Sequence, residues 1–488
     1  MYKNLFIKLL FFLLLISCQV LKPKSFLLKS NQEKALHYSR NIKASELKKH
    51  LYILASDAFE GRETTTPGQK KAAKYIEEHF KNTKVLPALD STYFQEFIVD
   101  VADFSNVELN INGKKLKFLK DYYSFGNPIK TNVKDVNYID AGYGISNKEY
   151  DDYNNIDVTN KVVVLNRGIP ENLNYSIKDG NWRNKLTKAR ENGAIAVFFK
   201  EPNYSKTDLR IKEYIKKPTM KMHGNQTSKP HLPVFIIDQK VLDSLLKEDN
   251  IPISFSTNIS IPKTAENVIG YIPGKKDELI VISAHYDHIG YDNGEICNGA
   301  DDDGSGTCAL LEIASSFQKA YDEGNKPNRS LLFLAVSGEE KGLFGSKFYT
   351  DNPVFPLHKT TTNLNIDMVG RKDTVQKDSN YIYIIGSNRI SKELHNINEQ
   401  INNRHINFKL DYTYNDKNDP NRFYERSDHY NFAKNGIPVI FYFGGLHEDY
   451  HQPTDEVDKI DFKKLEKVSQ YVFLTAWELA YRKKAVKK

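Results

Sequence analysis

The chain has 488 residues, of which 40% are hydrophobic, and a formal net charge of +7. A chain of this length and apolar content can bury two cores of ordinary size, which excludes an intrinsically disordered protein. The excess of Lys and Arg is spread along the chain and accompanies no nucleic-acid-binding motif, so we expect no nucleic-acid partner.

The first residues have the pattern of an export signal. Lys3 and Lys8 supply positive charge near the N-terminus. Residues 9–16, directly after Lys8, are the unbroken apolar run LLFFLLLI. This run is shorter than the roughly 20 residues of a membrane-spanning helix and has the length of a signal-peptide core. The run ends in LISC, which resembles the lipobox of bacterial lipoproteins. We therefore expect a lipoprotein signal peptide over residues 1–17 and a lipid on Cys18.

A lipid on Cys18 would anchor the chain to a membrane without a transmembrane helix. The expected location is the bacterial cell envelope, as a periplasmic or outer-membrane lipoprotein. The alternative is an ordinary cleaved signal peptide with an incidental cysteine. The remaining cysteines, Cys297 and Cys308, are too few for a disulfide scaffold and are expected as buried thiols, with a single bridge between them as the alternative.

The next segments predict a tether and two helices. Residues 18–41 are polar and lysine-rich and are predicted to form the tether. Leucines at helical spacing from Ser45 onward predict one helix, and residues 68–80 predict a second. The intervening FEGRETTTPG is interpreted as a polar turn.

A different pattern covers roughly residues 99–257. Short strand-like runs appear there, among them KVVVLNRG, AIAVFFK and LPVFIIDQ, with one predicted helix over residues 181–192. No cluster of candidate ligands occurs in this region. The pattern predicts a smaller, β-rich α/β unit.

Strands and helices alternate from residue 266 to the C-terminus. The predicted strands are NVIGYI, LIVISAH, SLLFLAV, TTNLNID, YIYIIG and IPVIFYF, and helices are predicted over residues 304–321, 391–403, 428–434 and 461–481. Nearly continuous apolar strands alternating with helices predict an α/β fold with a mostly parallel central sheet sandwiched by helices.

Candidate metal ligands follow three of these strands. His285 ends LIVISAH, Glu340 follows SLLFLAV, and Asp367 ends TTNLNID. In open α/β sheets, ligands bind beyond the carboxyl ends of the strands. Three candidate ligands at three strand ends therefore predict a metal site at this edge.

Two further motifs complete the candidate ligand set. NGADDDGSG places three adjacent carboxylates, residues 301–303, in a tight turn before a helix, and its spacing alone does not choose among them. His451 lies in DYHQPTDE. Two histidines and three carboxylates suit a pair of Zn²⁺ ions that share one carboxylate.

Residues next to the ligands suggest supporting roles. Asp287, two residues after His285, is expected to accept the N–H of the metal-bound imidazole. His288 is a rival ligand that we expect to point away or to line the cleft. In SGEE, adjacent side chains diverge, so one glutamate can bind metal while the other faces the water as a base. The G-x-S-x-G and H-E-x-x-H motifs of other hydrolases are absent.

The five motifs, in this order, resemble those of the co-catalytic di-zinc aminopeptidases of metallopeptidase family 28. The resemblance runs from about Ser45 to the C-terminus and implies a zinc exopeptidase fold over residues 42–99 and 259–488. KVVVLNRG, the helix KLTKARENGA and AIAVFFK resemble a protease-associated domain, which implies that residues 100–258 are an inserted domain of that type.

The resemblance also implies a role for each site residue. Asp302 would bridge two Zn²⁺ ions, with His285 and Asp367 completing one site and Glu340 and His451 the other. Glu339 would be the general base for a zinc-activated water. Tyr450 would stabilise the tetrahedral oxyanion. The implied reaction is the removal of N-terminal residues from peptide substrates.

Other functions remain open at this point. A carboxypeptidase of the same family would use the same zinc site, and Arg371 and Arg426 are candidates for binding a C-terminal carboxylate. The fold would also suit a glutaminyl cyclase, a catalytically silent binding protein or a non-peptidase amidohydrolase. The sequence gives neither the side-chain preference nor the oligomeric state.

Overall fold

The computed structural model describes residues 29–126, 129–170, 180–206, 211, 215–224, 231–248, 250–257 and 260–488. The predicted signal peptide and Cys18 lie outside these residues. The described helices are α1 (Lys29–Ser39), α2 (Ala44–Leu54), α3 (Pro67–Asn82), α4 (Trp182–Glu191), α5 (Gln239–Leu245), α6 (Gly306–Asp322), α7 (Phe344–Asp351), α8 (Lys392–Ile401), α9 (His429–Lys434) and α10 (Phe462–Tyr481).

The described strands up to residue 256 are β1 (Leu86–Pro87), β2 (Phe94–Ala102), β3 (Glu108–Ile111), β4 (Lys114–Lys115), β5 (Tyr122–Ser124), β6 (Asn132–Val136), β7 (Tyr138–Asp140), β8 (Val162–Asn166), β9 (Ala196–Glu201), β10 (Thr219–Met222), β11 (Val234–Asp238) and β12 (Ile253–Ser256). The later strands are β13 (Ser260–Ile272), β14 (Lys276–His285), β15 (Gly290–Asp292), β16 (Glu295–Cys297), β17 (Arg329–Val336), β18 (Thr360–Asp367), β19 (Tyr381–Ile385), β20 (Lys409–Asp411) and β21 (Val439–Phe443).

The chain forms two compact units. The first comprises residues up to Phe97 together with Thr264–Lys488, and the second comprises Ile98–Lys263. The predicted insertion, residues 100–258, lies within the second unit.

The first unit is built on a large central sheet with the strand order β2-β13-β17-β14-β18-β21-β19-β20. Strands β17, β14, β18 and β21 run parallel to their neighbours, whereas β13 and β19 join antiparallel. The predicted α/β class is confirmed. The sheet is mixed because the three residues between β13 and β14 reverse the chain without a crossover helix.

Helices cover both faces of this sheet. On β14, Ile280 and Ile282 belong to a core shared with α2, α3, α6 and α10, while Leu279 and Val281 belong to a core shared with α7 and α9. Successive strand residues point to opposite faces, so a strand covered on both sides must be apolar throughout. This is why LIVISAH and SLLFLAV read as continuous apolar runs.

The second unit has its own core. Its main sheet has the order β5-β11-β9-β8-β7, in which β7, β8, β9 and β11 are parallel neighbours. A smaller antiparallel sheet has the order β4-β3-β12-β6. The predicted helix over residues 181–192 corresponds to α4, and the runs KVVVLNRG, AIAVFFK and LPVFIIDQ contain β8, β9 and β11.

The tether predicted over residues 18–41 differs from the structure in its second half. Lys29–Ser39 form α1, in which Ala35 and Tyr38 are buried. The Tyr38 ring stacks on Trp477 at 5.6 Å between centroids, and its hydroxyl donates to Glu323. Tyr38 lies in a segment that is otherwise rich in lysine and other polar residues, so the composition of the segment predicted a polar tether.

Two further expectations concern the cysteines and the membrane. Cys297 and Cys308 are both buried, and neither forms a disulfide within the described part of the chain. Across the described ranges, no helix combines the length and the hydropathy needed to cross a membrane.

Candidate active site

The ends of three parallel strands bring the candidate ligands together. β14 lies between β17 and β18 in the sheet, so His285 and Asp367 end neighbouring strands. Glu339 and Glu340 come shortly after β17. The three motifs meet at one edge of the sheet because parallel strands end on the same side.

The two oxygens of Asp302 face two different clusters. Oδ1 lies 3.4 Å from His285 Nε2, which is itself 3.6 Å from Asp367 Oδ1. Oδ2 lies 3.1 Å from His451 Nε2, which is itself 3.0 Å from Glu340 Oε2. The structure thus groups the five sequence-predicted ligands into two sets that share one carboxylate.

The donor set fits a pair of divalent cations. Asp302 Oδ2 and His451 Nε2 are buried and make no hydrogen bond despite their short separation. Nitrogen and oxygen ligands at about 2.0–2.2 Å from a tetrahedral zinc ion are about 3.3–3.5 Å apart, close to the separations found here. Burying several carboxylates in one pocket is costly without cations to balance them.

Hydrogen bonds from backbone amides distinguish Asp302 from the two adjacent aspartates as the candidate ligand. Asp301 Oδ1 accepts from Gly370 N at 2.6 Å, and Asp303 Oδ1 accepts from Gly306 N and Met368 N at 2.9 and 3.0 Å. Asp301 and Asp303 are therefore occupied in holding the turn. Only the carboxylate of Asp302 is directed at both histidines.

The adjacent glutamates have different surroundings. Glu339 Oε2 lies 4.0 Å from His285 Nε2, and burial, reinforced by Glu340 and Asp367, raises the pKa of Glu339 well above its usual value. For Glu340, burial also raises the pKa, but contacts with His288 and His451 outweigh it and lower the pKa to about 2. Carboxylates whose pKa values are pushed apart take different roles: Glu340 stays charged, and Glu339 can hold a proton.

Asp287 does not orient His285 in the predicted way. His285 Nδ1 lies 3.9 Å from Asp287 Oδ1 but 3.1 Å from the backbone oxygen of Asp287. A carbonyl oxygen only accepts, so Nδ1 carries the proton and Nε2 keeps the lone pair that a metal needs. The Asp287 carboxylate instead accepts from Thr64 Oγ1 at 2.8 Å and from Glu339 N at 3.2 Å.

His288, which was expected to point away or to line the cleft, is buried within the site. Its Nδ1 lies 2.9 Å from Glu340 Oε1 and 3.7 Å from Asp302 Oδ2. Its ring is 5.7 Å from that of His451, centroid to centroid. His288 and His451 therefore approach the same two carboxylates from different sides.

Tyr450 lies at the mouth of the site. Its ring stacks on the His451 ring at 3.9 Å between centroids, and its hydroxyl is 3.5 Å from Arg426 Nη2. Tyr450 and Arg426 line the pocket that also contains His285, Asp302, Glu339 and Asp367. The apolar wall of this pocket is formed by Met368, Phe423, Phe441, Phe443 and Leu446. Tyr450 can therefore reach a group bound in this pocket.

Arg62 is a supporting residue that the sequence did not reveal. It lies in the segment interpreted as a polar turn, yet it is only 1% exposed. Its guanidinium donates to the backbone oxygens of Tyr286, Leu54, Asn298 and Gly299, at 2.6–2.9 Å. Arg62 thereby joins the loop after His285 to the turn before Asp302.

Asp455 supports the same turn from the C-terminal side. Its carboxylate accepts from the backbone nitrogens of Asp301 and Asp302, at 3.0 and 3.2 Å. Asp455 follows His451 within the motif DYHQPTDE, so the loop that carries His451 also supports the turn that carries Asp302. In the sequence, this supporting role of Asp455 was indicated only by its position in the same motif as the candidate ligand His451.

An α/β sheet that gathers histidines and carboxylates around one pocket beyond its parallel strand ends defines a candidate metal-binding protein of the α/β class. Residues 267–476 match the sequence model described as Peptidase family M28. The chain therefore carries a domain of peptidase family M28.

Curated relatives agree with this assignment. Aminopeptidase YwaD of Bacillus subtilis is 25% identical over 351 residues, which are 68% of this chain and 65% of that protein. A probable zinc metalloprotease of Pyrenophora teres f. teres is 28% identical over 281 residues, covering 46% of this chain and 54% of the relative. The chain thus spans less than two thirds of the length of the curated relatives it matches.

Solved structures share the fold. An aminopeptidase from Aneurinibacillus sp. strain AM-1 superposes with a TM-score of 0.51 at 20% identity, covering 93% of this chain and 98% of that one. A zinc aminopeptidase from Bacillus subtilis gives a TM-score of 0.50 at 21% identity, covering 92% and 96%. The match to peptidase family M28 supports zinc as the metal.

Proposed function

We propose that this protein is a zinc-dependent aminopeptidase that removes N-terminal residues from peptides. The observation that carries the proposal is the position of Asp302 between two histidine–carboxylate sets, within a domain of peptidase family M28. The relatives named as aminopeptidases support the choice of reaction.

We further propose that the site holds two zinc ions. His285 and Asp367 would hold one, Glu340 and His451 the other, and Asp302 both. When bound, the zinc pair supplies Lewis acidity that polarises the scissile carbonyl and acidifies a water. His451 is preferred to His288 because its Nε2 lies 3.1 Å from Asp302 Oδ2 and 3.0 Å from Glu340 Oε2, whereas His288 Nδ1 is 3.7 Å from Asp302 Oδ2.

Glu339 moves the proton in this scheme. Its Oε2 lies 4.0 Å from His285 Nε2, where the carboxylate can take a proton from the attacking water and pass it to the leaving amine. The backbone N–H of Glu339 is fixed by Asp287, which limits the movement of the residue. Tyr450, at the edge of the same pocket, donates its hydroxyl to the oxyanion.

One observation favours a carboxypeptidase as the second candidate. Arg426 lines the pocket, and its guanidinium lies 4.8 Å from the Phe423 ring centroid. An arginine in this position can bind the C-terminal carboxylate of a substrate in a bidentate fashion.

The test uses a soluble form of the chain that begins at Gln19 and is loaded with zinc. Peptides with free or blocked termini are incubated with the enzyme, and the products are read by mass spectrometry. Stepwise loss of N-terminal residues that stops on N-acetylation is the expected result. Loss from the C-terminus would replace the proposal with a carboxypeptidase, and loss of ammonia from N-terminal glutamine with a glutaminyl cyclase.

We also propose that the protein is an envelope lipoprotein anchored through Cys18, on the basis of the apolar run and LISC. In cells fed labelled palmitate, the wild type should incorporate label and Cys18→Ser should not. Labelling of the variant would refute the anchor.

For residues 100–258 we propose a protease-associated domain. Its separate core and its parallel strands β7, β8, β9 and β11 support this. Residues Ile98–Lys263 expressed alone should then unfold cooperatively. A non-cooperative transition would contradict an independent domain.

A further inference from the structure

Three helices of the first unit bring together a second set of metal-binding side chains. His50 lies on α2, His79 on α3 and Glu312 on α6, and one ligand atom of each lies within 4.8 Å of the others. None of the three belongs to the active-site set.

His50 and Glu312 form the first half of this cluster. His50 Nε2 lies 3.1 Å from Glu312 Oε1, and His50 Nδ1 lies 2.6 Å from the Tyr75 hydroxyl. Nε2 and a carboxylate oxygen at this separation need a proton or a cation between them, since two lone pairs repel. The side chains are 12% and 11% exposed, so a small ion can reach them from solvent.

His79 is already held in the form that a metal requires. The Ser315 hydroxyl donates to Leu311 O at 2.9 Å, so its oxygen accepts the N–H of His79 Nε2 at 2.8 Å. Nε2 therefore carries the ring proton, and Nδ1 keeps its lone pair. Metal-bound histidines usually donate their other N–H in this way.

We propose that His50, His79 and Glu312 form an additional cation site, separate from the active site, for one divalent transition-metal ion such as Zn²⁺. Two imidazoles and one carboxylate are a common zinc ligand set, and they leave one position for water. Tyr75 and Ser315 orient the two rings from behind. The site is independent of the proposed peptidase function.

The position of the site indicates what the ion does. It joins α2 and α3 to α6, and α6 begins directly after the turn that carries Asp302. An ion that binds only the folded arrangement stabilises it by mass action. Zinc at this site therefore stabilises the packing of the N-terminal helices on the helix that supports the active-site turn.

The test counts zinc ions bound to the full chain by equilibrium dialysis and elemental analysis. The wild type should bind one ion more than His50→Gln or His79→Gln. His37→Gln is the matched control, because His37 is an exposed histidine on α1 outside the cluster. Tyr75→Phe should keep the ion but weaken its binding by about 10–100-fold, because it loses a hydrogen bond to the His50 ring.

Thermal unfolding gives an independent readout. Added zinc should raise the unfolding midpoint of the wild type and of His37→Gln more than that of the cluster variants. Equal stoichiometry and equal affinity in wild type, His50→Gln and His79→Gln would overturn the proposal. If His50→Gln does not fold, Glu312→Gln, which retains a hydrogen-bonding side chain of the same size, provides the same comparison.

Discussion

Asp287 accepts a hydrogen bond from the backbone N–H of Glu339, with 3.2 Å between the Asp287 carboxylate oxygen and the Glu339 nitrogen. This contact ties the segment after β14 to the segment after β17. The carboxylate that sequence spacing assigned to a histidine thus holds the backbone of the proposed base. The base and the ligand His285 are therefore positioned by the same residue, one through its side chain and one through its carbonyl.

The adjacent glutamates should separate catalysis from metal binding. Glu339→Gln should lower kcat by about 10²–10⁴-fold, since it removes the proton acceptor, while the zinc content stays unchanged. Glu340→Gln should lose zinc, because Glu340 contacts His451 in the second ligand set. Activity assays paired with elemental analysis measure both. Near-normal turnover by Glu339→Gln would refute its role as base.

Asp287→Ala should reduce kcat without loss of folding. The substitution leaves the Glu339 N–H without its acceptor, and supporting hydrogen bonds of this kind are worth about 10–100-fold. Thr64→Val is the control, because it removes only the other hydrogen bond to Asp287. It should cost less than Asp287→Ala in steady-state kinetics. A larger effect of Thr64→Val would place the positioning role in Thr64 instead.

Arg62→Met should destabilise the first unit strongly. Four backbone oxygens lose their donor in a buried location, so we expect a loss of at least about 3 kcal/mol in the free energy of unfolding. Urea denaturation followed by circular dichroism measures the change. Arg40→Met, an exposed arginine after α1, should change stability by less than about 0.5 kcal/mol. Similar values for the two variants would show that the four hydrogen bonds of Arg62, here called the Arg62 clamp, contribute little to the free energy of unfolding.

His429 should make the protein less stable in mild acid. Burial lowers the pKa of His429 from 6.5 to about 3, and its ring stacks on Phe441 at 4.7 Å between centroids. Between pH 6.5 and 3 the unfolded chain binds a proton that the folded chain does not, so stability falls as pH falls. From pH 7.5 to 5 this contributes about 2 kcal/mol.

The variant His429→Phe removes that contribution while it keeps a ring against Phe441. Its unfolding free energy should therefore fall less than that of the wild type between pH 7.5 and 5. The matched control, His37→Phe, changes an exposed histidine and should follow the wild-type profile. Parallel profiles for wild type and His429→Phe would show that another group titrates in this window.

The positions of His285, Glu340 and Asp367 could be predicted because each lies at or shortly after the end of a buried strand. His285 and Asp367 end runs whose apolar character follows from burial on both faces. The choice of Asp302 could not be made from spacing, because Asp301 and Asp303 differ from it only in the backbone amides they accept from. Those amides belong to residues 306, 368 and 370 and meet the turn only after folding.

Arg62 and Tyr38 were missed for a related reason. A polar segment reads as solvent-exposed unless its partners are known, and the partners of Arg62 are carbonyl oxygens more than 200 residues away, at Tyr286, Asn298 and Gly299. Tyr38 packs on Trp477, near the other end of the chain. The local hydrophobic pattern therefore predicts buried strands well. It does not predict side chains such as Arg62 and Tyr38, whose partners are distant in the sequence.

The Arg62 clamp has a consequence for the durability of the enzyme. All residues of the family match lie after residue 266, whereas the guanidinium that holds their loops comes from the N-terminal segment. A single proteolytic nick between Arg62 and β2 would sever the covalent link between clamp and loops. The proposed activity would then be lost as the cleaved N-terminal helices slowly dissociate. Every candidate ligand and the proposed base would remain chemically intact.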